Sequence, residues 1–71
     1  MLWAWEPEAT PAIALALGDD AWRVREMAAK VIARHLVADL LTQVADLSHD
    51  PVPRVRAAAA RAVAQITERR A

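Results

Sequence analysis

The chain has 71 residues, room for one small domain, and 56% of them are apolar. Nine basic residues balance nine acidic ones, so there is no global charge drawing the chain to nucleic acid or membrane. With no cysteine, disulfide staples, thiolate metal sites and cysteine nucleophiles are excluded.

In chain order, Met1-Leu2-Trp3-Ala4-Trp5 is apolar but too short for a signal peptide and has no basic start. No run approaches the ~20 apolar residues of a membrane span. A cytoplasmic protein is therefore expected. Glu6 to Pro11 reads as the start of a helix. Thr10 caps it with Pro11 in the first turn, or Pro7 opens it one turn earlier. Ala12 to Leu17 follows, and Gly18 stops it. Asp19 or Asp20 caps a second helix from about Ala21. Val24, Ala28, Val31 and Ile32 form one face of it at a 3.6-residue period. Glu26 and Lys30 make an i,i+4 pair in the favourable order.

Leu36, Leu40, Leu41, Val44 and Leu47 carry a third helix, with a break from the second near His35–Val37. One unbroken helix over both would be long for a globular domain. Asp50 as cap and Pro51 at the first helical position restart the chain. The fourth helix is predicted to bury Val55, Ala59, Ala62, Val63 and Ile66 and to fray at Glu68–Ala71. Ala57 to Ala60 allows a neighbouring helix to approach closely.

The second and fourth helices repeat one text. RVREMAAKVIARH from Arg23 is answered by RVRAAAARAVAQI from Arg54, 31 residues later, with six of thirteen positions identical. Ahead of the capping turns the offset falls to 30, which pairs Leu17 with Leu47 and Asp20 with Asp50. That places one extra residue near Pro53. A period near 30 in helical text is the mark of a stacked helical array. Units of two helices cannot bury both faces alone, so stacking supplies the core. The expected fold is all-α, an αα-superhelix segment of about four helices.

The string LSHDPVPRVRAAAARAVAQI from Leu47, and its less perfect copy LGDDAWRVREMAAKVIARH from Leu17, resemble the short HEAT-like repeats of the phycobilin-lyase type. The resemblance spans residues 6–66. It implies half a repeat (6–18), one whole repeat (19–48) and the first helix of the next (49–71). It also implies a ladder in which Asp20 and Asp50 meet Arg25 and Arg56. A start in mid-repeat fits either a piece of a longer array or a short protein that completes its core by self-association.

Nothing in the residue pattern points to catalysis, to a cofactor or to a metal. His49 is a loop histidine and His35 a helix-end one, favoured there by the helix dipole. Adjacent Asp19 and Asp20 are accounted for by capping, and Ser48 has no nucleophile elbow around it. The preferred expectation is a non-catalytic scaffold for protein–protein interaction that self-associates through open ends. Trp3, Trp5 and Trp22 would form its interaction edge. The alternative is duplex DNA held along a row of Arg23, Lys30, Arg54 and Arg61. The same fold is used that way in some HEAT-like DNA glycosylases, which the resemblance makes relevant.

Overall fold

In the computed structural model, which describes residues 7–70, four α-helices and three short 3₁₀ turns follow one another. They are α1 (Thr10–Leu17), α2 (Trp22–His35), α3 (Leu41–Asp46) and α4 (Pro53–Arg70). There is no strand among the described residues. The α2–α4 contact is the most extensive, α1 packs on α2, and α3 packs on α4. α1 thus lies beside α2, and α3 beside α4.

The core is small and built largely from alanine. Ala28, Ala29, Ile32 and Ala33 of α2 meet Ala58, Ala59, Ala62 and Ile66 of α4, closed by Leu17, Val37, Leu40 and Val44. Alanine at the α2–α4 contact leaves the two backbones free to come close. The face expected on α2 was misplaced by part of a turn: Val24 is exposed and Val31 half-buried, while Ala29 and Ala33 are buried. On α4, Val63 is only half-buried and Ala58 takes its place in the core.

Helix ends differ from expectation in instructive ways. A 3₁₀ turn at Pro7–Ala9 leads into α1, so Thr10 is its first residue and makes no side-chain cap. Likewise α4 begins at Pro53, not Pro51. Proline suits that first position because its missing N–H would have no helical partner there. Ala21, rather than Asp19 or Asp20, is the N-cap of α2, so Asp19 and Asp50 brace the turns ahead of the helices instead of capping them. α4 continues to Arg70, past the expected fraying point at Glu68. The break after α2 falls where expected. Leu36 takes left-handed angles (φ 52°, ψ 52°), and the N–H of Val37 returns to the Ile32 carbonyl at 3.1 Å.

Gly18 ends α1 with φ −104°, an angle open to any residue. A Cβ placed there would meet only the Leu15 carbonyl at 3.8 Å, an ordinary contact. Gly18→Ala is therefore expected to raise stability by about 0.4–1 kcal/mol, through a less disordered unfolded chain. A thermal melt of the variant checks this.

The hydrogen bonds fix the register of the repeat. The N–H groups of Val24 and Arg25 bond the Ala21 carbonyl, and those of Val55 and Arg56 bond the Val52 carbonyl, an offset of 31. The Asp19 carboxylate accepts from Ala21 N at 2.8 Å, and the Asp50 carboxylate from Val52 N at 2.9 Å, again 31 apart. Asp19, not Asp20, is therefore the counterpart of Asp50. The extra residue lies in the 3₁₀ turn Leu47–His49, opposite Gly18, rather than near Pro53. There the Ser48 hydroxyl donates to the Ala45 carbonyl and helps close the turn.

Candidate interaction site

Each aspartate-braced turn is held from below by the arginine one helical turn into the helix that follows. Arg25 Nη1 donates to the carbonyls of Asp19 (2.8 Å) and Asp20 (3.1 Å). Arg56 Nη1 donates to those of Asp50 (2.8 Å) and Pro51 (3.3 Å). Arg25 also reaches the next repeat. Its Nε lies 2.7 Å from Asp50 Oδ2 and its Nη2 donates to Asp50 Oδ1 at 3.2 Å. The planar guanidinium suits this work, with one edge on carbonyls and another on a carboxylate.

Of the residues expected in the ladder, Arg25 and Asp50 meet across the two repeats, whereas Arg56 bonds only carbonyls of its own turn among the described residues. Asp20 has no such place: it is exposed, and only its carbonyl takes part. The hydrogen bond from Arg25 is the main reason the Asp50 carboxyl sits below its ordinary pKa of 3.8. Burial opposes that shift, while the Val52 N–H and the charges of Arg25 and Arg56 reinforce it.

On the outer side of the same two helices lies the row proposed for phosphate. Arg23 stacks over the Trp22 ring at 5.1 Å and Arg54 over the same ring at 5.6 Å. Trp22 therefore joins α2 to α4 between two cations. Glu26 stands in the middle of the row. Its Oε2 lies 3.3 Å from Arg54 Nε and 3.5 Å from Lys30 Nζ. Of the four candidate cations, Lys30 and Arg54 are already shared with a carboxylate, and Arg23 and Arg54 with an indole. Arg61 is exposed further along. It lines an open surface groove of about 650 Å³ along α2 and α4, whose rim also includes Met27.

The i,i+4 pairing of Glu26 with Lys30 was legible in the sequence, whereas its pairing with Arg54 crosses between repeats and was not. Asp19 was expected only as a cap and not as the counterpart of Asp50, although its 31-residue distance from Asp50 matches the six identities of the helical text. Trp3 and Trp5 lie outside the described residues. No cluster of three metal-ligating side chains occurs among the described residues. No described helix is long and apolar enough to cross a membrane.

Stacked helix pairs, Asp-headed turns and an arginine bridging successive repeats are the working parts of one repeat type. The sequence model of HEAT repeats matches residues 6–71. This chain belongs to the HEAT-repeat family. HEAT repeats generally serve as protein-interaction scaffolds and are typically non-catalytic. Comparison with curated proteins and with solved structures yields no match. Among the described residues of this HEAT-repeat chain, the charged and aromatic contacts between repeats lie along α2, α4 and the turn that precedes α4.

Proposed function

We propose that this HEAT-repeat chain is a non-catalytic scaffold that binds protein and associates with itself through the open ends of its helix stack. The supporting observation is α1. Its sequence, TPAIALAL, carries no charge; Leu17 is buried and Ile13, Ala14 and Ala16 pack partly against the core, yet Leu15 is 79% exposed. An uncharged helix that holds out a leucine on its open side supports association there.

Leu15→Glu is expected to shift the protein toward monomer in sedimentation velocity over micromolar to millimolar concentrations. A wild-type chain that stays monomeric across that range would count decisively against self-association. The duplex DNA reading is supported less well, because Glu26 sits among Arg23, Lys30 and Arg54 and its charge opposes a phosphate there.

A further inference from the structure

The two repeats share a pattern, yet their burial differs directionally. α4 buries Val55 (0% exposed) and Ala58 (9%), and Ala62 as well. Their counterparts on α2, 31 residues earlier, are open: Val24 is 36% exposed, Met27 is 64%, and Val31 is half-buried. The reverse holds on the other side. α2 buries Ala29, Ile32 and Ala33, whereas Ala60 and Ala64 of α4 are exposed and Val63 is half-buried. At 3.6 residues per turn these two sets lie on nearly opposite sides of a helix. Each repeat thus has a leading face and a trailing face. The α2–α4 contact joins the trailing face of one repeat to the leading face of the next. Among the described residues, one leading face (Val24, Met27, Val31) and one trailing face (Ala60, Val63, Ala64) have no helix docked on them in this way.

The ladder is divided in the same sense. Arg56 repeats the Nη1 bonds of Arg25 to its own turn, but its Nε and Nη2 make no hydrogen bond among the described residues. Those are the two atoms with which Arg25 clasps Asp50. Asp19 repeats the Oδ1 bond of Asp50 to its own turn, but it is exposed where Asp50 is buried.

We infer that the trailing face of one molecule docks on the leading face of a second copy, with Arg56 of one clasping Asp19 of the other as Arg25 clasps Asp50. This rests on the self-association reading and gives it a geometry. The contact is heterologous and does not close, so copies add head to tail. It is weaker than the α2–α4 contact. Met27 stands where Ala58 would, a longer side chain whose flexibility lets it adapt to the gap. Ala57 stands where Glu26 would, so the ion pair to Arg54 has no equivalent.

Sedimentation velocity tests this. Wild-type weight-average mass is expected to climb with concentration without a plateau, and to fall with added salt. Asp19→Asn, which keeps the bond to its own turn, and Arg56→Gln should each weaken association roughly tenfold. Two blocking variants at exposed positions give the sharper result. Met27→Glu closes the leading face and Ala64→Glu the trailing face, so each alone should be monomeric. An equimolar mixture should form a dimer and grow no further. Circular dichroism verifies that both remain helical. A mixture that stays monomeric overturns the head-to-tail geometry. So does wild-type-like association in Asp19→Asn and Arg56→Gln, and if Leu15→Glu still abolishes it, self-association through α1 stands alone. A monomeric wild type at millimolar concentration overturns both readings.

Discussion

Ile32→Ala should come close to unfolding this protein. Ile32 is fully buried between the helix pairs and is one of the few large side chains in a core made mostly of alanine. Its loss removes transfer free energy and leaves a cavity that a tight helix contact cannot collapse to fill, at a cost of about 2–5 kcal/mol. At roughly 0.05–0.15 kcal/mol per residue, a chain of this length has about 4–11 kcal/mol in total. A core with so few large residues belongs at the lower end of that range. The melting temperature should fall by roughly 10 °C or more, read by circular dichroism at low concentration so that association does not mask the effect. Leu15→Ala, at an exposed site, is the matched control and should stay within about 0.5 kcal/mol.

Arg25→Ala should be the most damaging surface-accessible change, and its signature is in the pH dependence. The substitution removes both bonds to the Asp50 carboxylate and both bonds to the carbonyls of the preceding turn. It leaves Asp50 half-satisfied by Val52 N alone among its described partners. In the wild type the folded Asp50 carboxyl titrates below its unfolded value of 3.8. A lowered folded pKa means stability that is fully present above the unfolded pKa and is lost as pH falls through the folded one. Wild-type melts should therefore be flat in Asp50's contribution above about pH 5 and decline below pH 4. Arg25→Ala should melt lower at neutral pH and lose less on acidification, since its partner has already gone. An acid slope as steep as the wild type's would show that the Arg25–Asp50 pair does not govern it.

How far the sequence revealed this molecule can be judged residue by residue. The helices and the stacking were legible because 3.6-residue apolar spacing and two copies of one text say the same thing. The resemblance pointed to the meeting of Arg25 with Asp50, but it set Asp20 where Asp19 stands and gave Arg56 a partner it does not have among the described residues. The leucines at 17 and 47 drew Asp20 onto Asp50, and only the carboxylate bonds of the turns, each taken from the N–H two residues on, return Asp19 to that place. The leading and trailing faces were not legible. Ala29 and Ala60 are the same residue in equivalent positions, one buried and one exposed. What separates them is the neighbour each helix has, which no residue type encodes. The pairing of Glu26 with Arg54 was hidden for the same reason.

Leu36 carries a consequence of its own. No glycine or proline separates α2 from α3, and both sides of the break are good helix-forming sequence. A leucine at φ 52° costs on the order of 1–3 kcal/mol. That cost is met only while Leu36, Val37 and Leu40 are packed against the rest. The bend is thus a property of the assembled core rather than of the local chain. When the core loosens, the segment is released to straighten, so one long rod in place of a hairpin would be the first sign of a misassembled stack.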